Sequence, residues 1–509
     1  MNYDVIVVGG GSAGAAIAAR LSEDSDRAVL LLEAGADYPD FDNMPDDIKL
    51  GLGTGADFFN IDDRHNWLFT GHATDDAPTM AVPRGKVMGG TSSINGQVFL
   101  RAIPDDFDHW VSMGNDLWSF DQVLPYYRKL ETDLDIQDDF HGSDGPMMTR
   151  RHKIEDLLTD QRAFYDACLD AGFPSNSDHN HPDAIGVGPY ALNNPNGIRW
   201  STSIGYLNPV RYRLNLTIKP NCITRRVLIE NARAIGVEVE SAGEIFQVFA
   251  DEVVVSAGAI GSPHLLMLSG IGPKAQLETH GITVVHDAPG VGQNLRDHPS
   301  INVWWECQDD YPIPPIGVGA QKVALRYTAE GSDLDRDMII IMRFNNETRM
   351  LIMTSGVYLA MSAGSLTLAS ADPSTQPVLD YNYMSDPFDL ERLRNGIHQC
   401  VRLSQFPAFS KIIKGLNQPS QEQLESDDEL DSWIKRNVST MHHISCTCKM
   451  GPASDPMAVV DQRGNVHGIE GLRVADASIM PDCVRANTNV TTIMIGERVA
   501  DFIKQSVKG

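Results

Sequence analysis

The sequence predicts an α/β fold that opens on a parallel βαβ unit and continues into a second, α+β domain built on an antiparallel sheet. Three observations predict it. The apolar run Tyr3 to Val8 leads directly into Gly9-Gly10-Gly11-Ser12-Ala13-Gly14. A second apolar run, Ala28 to Leu32, ends on Glu33. From about Trp304 to Ile444 the pattern changes to alternating strands such as Asp337 to Phe344 and Ser365 to Ala369, with helices such as Pro387 to Ser404.

Each element of the first unit has a physical reason. The apolar run is a strand buried on both faces, Gly9 permits the tight turn, and Gly11 lets backbone N–H groups approach a pyrophosphate. Ser12 and Ala13 begin a small-residue helix, Ala13 to Arg20, whose positive end faces the phosphates, and Gly14 lets that helix pack closely on the strand. Glu33 arrives about 20 residues on, where an acid accepts hydrogen bonds from an adenosine ribose. The arrangement is a Rossmann-like dinucleotide cradle.

A Gly/Asp/Pro-rich stretch then runs to about Arg64, too long for a compact connection and suited to a covering loop or lid. Pro83 to Gly96 reads as a loop opening a helix, rich in N–H groups suited to a second phosphate or ring-edge contact, with Gly89, Gly90, Ser92, Asn95 and Gly96 as candidates. Strands are expected at Leu216 to Lys219, Ala234 to Glu240 and Ile245 to Val255, with Ile223 a further candidate cofactor contact. The last strand enters a second glycine turn at Ser256 to Ala259. A helix is expected to begin at Pro263 and stop at Ser269-Gly270.

The chain has 509 residues, 42% of them hydrophobic, which suits two or three domains. The expected division is a discontinuous nucleotide-binding domain (1–150, 190–300 and 452–509) and a substrate domain (151–189 and 301–451). Lys and Arg total 41 against 68 Asp and Glu, a net charge of −27 that disfavours nucleic acid and anionic membranes as partners. Seven cysteines without a disulfide-scaffold spacing, and no secretory leader, point to the cytoplasm. Cys446 and Cys448 lack the partners of a zinc site, so no metal is expected. No run of 18 or more apolar residues is present to span a membrane.

Several blocks in order carry a family resemblance. Gly85 to Asn95, Gly258 to Gly272, Gly290 to His298 and Gly471 to Pro481 resemble the signatures of the glucose-methanol-choline (GMC) oxidoreductases, over nearly the whole length. The resemblance implies bound FAD, with Asp476 holding its ribityl chain, Ala477 a further contact, and Asn95 and Gly96 along the flavin edge. It also implies a catalytic pair, His443 and Asn489, with Asn487 as the competing register for the second member. Alcohol oxidation needs one neutral imidazole to take the hydroxyl proton and one donor to the forming alkoxide, which is the role such a pair plays. His442, His264 and His298 read as structural side chains. Some choline oxidases of the family carry a flavin-linked histidine where this chain has Ile94, so FAD is expected to be non-covalent. The strand Met338 to Phe344 offers a quaternary ammonium no carboxylate, which favours an uncharged, partly apolar or aromatic primary alcohol over choline. The electron acceptor would be O2 or a quinone. A non-redox lyase or a flavin photoenzyme is the alternative; retention of His443 argues against the photoenzyme.

Overall fold

A computed structural model describes residues 2–51, 61–313 and 322–506. Strand Asn2–Val8 pairs in parallel with Val29–Leu32 on one side and with the C-terminal half of the long strand Glu244–Val255 on the other. Leu216–Lys219 extends the parallel sheet beyond Val29–Leu32, and Leu472–Val474 joins in parallel beside Val253 to Val255. The N-terminal half of Glu244–Val255 instead pairs antiparallel with Arg233–Ser241, which pairs with Ile223–Glu230. Val5 to Val8 and Val29 to Leu32 are all buried, as expected of strands covered on both faces.

The helix Ser12–Leu21 follows the first strand and packs against the last helix of the chain, Thr488–Ser506. Two polar contacts fasten them: Ser12 Oγ donates to Asn489 Oδ1 at 2.7 Å, and Arg20 pairs with Glu497 at 2.9 Å. A carboxylate buried this deeply requires such a partner.

The second sheet runs in the order Ile413–Gln418, Pro299–Cys307, Met350–Val357, Met338–Asn345, Val323–Tyr327, Gly186–Pro189, with Ser439–Thr440 added beside Pro299 and Ser300. It is antiparallel throughout. The long helix Pro387–Ser404 begins and ends where the sequence predicts, capped by the Asp386 side chain on the Phe388 N–H.

Two local expectations are corrected. The helix expected from Pro263 starts at Gly258 and carries Pro263 inside it. Proline leaves the carbonyl of Ala259 without its helical donor, and the Thr447 hydroxyl fills that place at 2.7 Å. The loop Pro83 to Gly96 opens no helix; it makes one 3-10 turn, Gly90–Ser93. Of the stretch read as a lid, residues 52–60 lie outside the described residues.

Candidate active site

A cavity of about 620 Å3 is lined by both sheets and by the turns that join them. Of the residues singled out from sequence, Gly9, Gly11, Ser12, Ala13, Glu33, Gly90, Asn95, Gly96, Ile223, Asp476, Ala477, His443 and Asn489 all line it. Gly14, Gly89 and Ser92 do not. Gly14 sits against the Gly9 carbonyl, where no side chain fits. Ser92 is fully buried behind the loop, donating to the Gly89 carbonyl at 2.6 Å and accepting the Thr202 N–H at 3.0 Å, so it braces the wall without reaching the cavity.

The cradle has the shape a dinucleotide requires. Gly9 takes φ 99° and its turn lies so close to Ser256 that a Cβ would strike that carbonyl. Gly11 differs: a Cβ there would project into the cavity with no atom nearer than 3.9 Å. The open space beside a helix N-terminus is where a pyrophosphate belongs. Glu33 accepts the N–H groups of Gly10 and Gly35 at 2.8 and 2.9 Å, yet burial lifts its pKa to about 7. Asp476 accepts from Gly258 N–H, Ser262 Oγ and Ser478 N–H, tying the second glycine turn to the C-terminal block. Asn489 spends its oxygen on Ser12 and leaves Nδ2 buried without a protein partner, a donor available to a bound ring edge.

The chemistry gathers around His443. Its main-chain N–H donates to Asp297 Oδ1 at 2.7 Å, and the same carboxylate accepts from His298 N–H at 2.8 Å, Tyr383 Oη at 2.7 Å and Thr440 Oγ1. The preceding residue, His442, adopts φ 66°, which turns the chain sharply just before the imidazole. One ring nitrogen of His443, Nδ1, lies 2.9 Å from His298 Nδ1; the other, Nε2, lies 2.9 Å from Asn487 Nδ2.

The network assigns the tautomer. Tyr358 Oη donates to Asn487 Oδ1 at 3.2 Å, which turns the Asn487 amide N–H toward His443. Nε2 must then be an acceptor, and Nδ1 carries the proton toward His298. Burial, with the neighbouring His298, His442 and Arg84, holds the His443 pKa well below the ordinary histidine value. The imidazole is therefore neutral, with its Nε2 lone pair accepting from Asn487 at the cavity wall.

Two expectations change here. The residue set against His443 is Asn487, and Asn489 instead bonds Ser12. The reason is the start of the last helix at Thr488, which leaves Asn487 in the preceding turn facing His443 and carries Asn489 round toward the first helix. His298, read as a structural side chain, bonds the His443 imidazole directly, and His264 lines the cavity with Nε2 unpartnered. Asp297 was not singled out, although it stands in the block Gly290 to His298. Ile94 is fully buried in a small apolar cluster with Val87 and Ile204 and does not line the cavity.

Elsewhere, Glu131, Asp133 and His141 approach within the span of a metal site. Arg101 and Arg151 already pair with the carboxylates, and His141, held protonated with a pKa near 11 by these acids and Asp178, adds a third cation.

A dinucleotide cradle that opens onto a buried neutral imidazole suits an oxidoreductase acting on CH–OH groups. Family models for GMC oxidoreductases match residues 3–300 and 360–496, and the chain belongs to that family. It is 37% identical over 542 residues to an oxygen-dependent choline dehydrogenase of Vibrio vulnificus, covering 99% of this chain and 94% of that protein. Among solved structures, pyridoxine 4-oxidase from Mesorbium loti matches with a TM-score of 0.92 and 30% identity over 99% of both chains. Formate oxidase of Aspergillus oryzae, studied for its FAD modification, matches at 0.89 and 26% over 100% of this chain and 99% of that one. The chain is an enzyme that uses FAD to oxidise alcohols.

Proposed function

We propose that this enzyme oxidises a primary alcohol to the aldehyde, with His443 as the base and Asn487 as the alkoxide-stabilising donor, and passes the electrons to O2 or a quinone-type acceptor. The observation that carries the proposal is the unprotonated Nε2 of His443 beside Asn487 Nδ2, both at the cavity wall.

The cradle from Gly9 to Ala13, with Glu33, Gly90, Ile223, Asp476 and Ala477, would hold FAD, and Asn95, Gly96 and Asn489 would meet its ring system. When bound, FAD supplies the acceptor for the hydride leaving the carbinol carbon. His443 Nε2 takes the hydroxyl proton; Asn487 Nδ2, already aimed at the same point, donates to the oxygen as negative charge develops there. His298 accepts the Nδ1 proton and keeps the ring in the reactive tautomer. Asp297 fixes the main chain of both histidines. A non-redox lyase is not favoured by relatives that are named as oxidases and dehydrogenases. A cytoplasmic setting is supported by seven free cysteines.

The test is anaerobic mixing of the flavin-loaded enzyme with a panel of primary alcohols, followed by admission of air. Bleaching by an alcohol is expected, with His443→Ala slowing it about 10²- to 10⁴-fold. Near-normal reduction in that variant would remove His443 from the mechanism.

A further inference from the structure

We infer that Arg343 is a specificity residue that reads an anionic group, and that the alcohol oxidised here carries a carboxylate. The inference rests on the alcohol-oxidising site proposed above and names its substrate class.

The second sheet presents one face to the cavity. In its register Ile341 lies opposite Thr354, which lies opposite Asn302. Side chains alternate along a strand, so Arg343, two residues beyond Ile341, and Ser300, two before Asn302, share that face. All five line the cavity. The intervening residues Ile340, Met342 and Phe344 are buried on the other face.

Arg343 differs from the chain's other interior arginines. Arg392 pairs with Asp337 and Asp389, Arg296 with Asp482, and Arg326 donates to the carbonyls of His179 and Arg485. Among the described residues no carboxylate lies within ion-pair distance of Arg343, and its guanidinium has no hydrogen-bond partner. Acids are not scarce in a chain of net charge −27. Yet the acids that line the cavity are Glu33 and Asp476, both committed to the cradle.

A partly buried guanidinium without a counter-charge is costly, and its flat fork matches a carboxylate with two parallel hydrogen bonds. A substrate carboxylate supplies what the protein omits. A trimethylammonium would meet the same charge with no acid to offset it, so the specificity named for the choline dehydrogenase relatives does not fit this wall. The sequence pattern argued against a cation; the unpaired guanidinium goes further and replaces an uncharged substrate with an anionic one.

The experiment uses the flavin-loaded enzyme with 4-(hydroxymethyl)benzoate, benzyl alcohol and choline in anaerobic stopped flow, and with benzoate as a ligand that cannot be oxidised. The carboxylated alcohol is expected to saturate reduction at about 10- to 100-fold lower concentration than benzyl alcohol, with choline poorest. Benzoate should bind the oxidised enzyme, read by titrating the flavin absorbance. Arg343→Met should abolish both the preference and benzoate binding, and Arg343→Lys, which keeps the charge but not the fork, should retain part of each. Equal benzoate binding in the parent and Arg343→Met, or no preference for the carboxylated alcohol over benzyl alcohol, would overturn the inference. Arg343-dependent benzoate binding with no bleaching by any alcohol would instead uphold the subsite and sink the alcohol-oxidation proposal.

Discussion

Replacing Asp297 with alanine is expected to loosen His443, the proposed base, and lower the melting temperature together. The carboxylate accepts two main-chain N–H groups, those of His443 and His298, at 2.7 and 2.8 Å, and two hydroxyls, from Tyr383 and Thr440. The hydroxyls can rotate toward water that enters the gap. The two N–H groups cannot turn, and each buried donor left unmet costs about 1–3 kcal/mol, or about 2–6 kcal/mol for the pair. Unfolding entropy scales near 2.1 cal/mol/K per residue, about 1 kcal/mol/K for this chain, so the apparent Tm should fall by about 2–6 °C. Asp297→Asn keeps the oxygen facing both N–H groups and should lose about 1 °C. Scanning fluorimetry of the flavin-loaded variants gives the comparison, and stopped-flow reduction should slow in the same order. An Asp297→Ala protein that melts and reduces like its parent, or an Asn variant as impaired as the Ala variant, would refute the reasoning.

Gly11→Val should yield folded protein without flavin, because its side chain would enter the open space that a pyrophosphate needs; a full flavin complement by absorbance would show the cradle to be misplaced. Acid precipitation of the parent should release all flavin as FAD into the supernatant, since Ile94 carries no nucleophile and lies outside the cavity. Asn487→Ala should slow flavin reduction about 10- to 100-fold while keeping FAD, whereas Asn489→Ala should act first on FAD retention, and the reverse order would restore the pairing expected from sequence. The reduction rate should be flat from about pH 6 to 9. A base whose pKa is pushed below the ordinary 6.5 is already unprotonated above that value and is lost only as pH falls through its lowered pKa, so an inflection near pH 7 assigned to His443 by its absence in His443→Ala would contradict the lowered pKa.

The nucleotide half was legible because its constraints are local. A strand, a glycine turn and a helix follow within Asn2 to Leu21, and the spacing to Glu33 reflects one helix and one crossover. The expected strands at Leu216 to Lys219, Ala234 to Glu240 and Ile245 to Val255 fall within one residue of those observed. What escaped depended on tertiary contact. Choosing Asn487 over Asn489 requires knowing where the last helix starts, and an Asn-Thr-Asn run gives no capping signal to tell the two apart. Pro263 looked like a helix start because the sequence does not reveal that a hydroxyl 184 positions later, on Thr447, replaces the missing donor. His298 and Asp297 became visible as partners of His443 only when the second sheet brought residues 297 and 443 together.

The bond between Ser12 and Asn489 also has a temporal meaning. The turn that begins the cradle is made more than 450 residues before the groups that close it, Asp476, Asn487 and Asn489. A growing chain can pair Asn2–Val8 with Val29–Leu32 early, yet it holds an unfinished site until those later groups are made. The helix Ser12–Leu21 waits with its small-residue face uncovered until Thr488–Ser506 arrives. Closing the cradle therefore waits on the helix Thr488–Ser506, and removing that helix would leave Ser12 without Asn489 and Arg20 without Glu497, at the opposite end of the fold's sequence order.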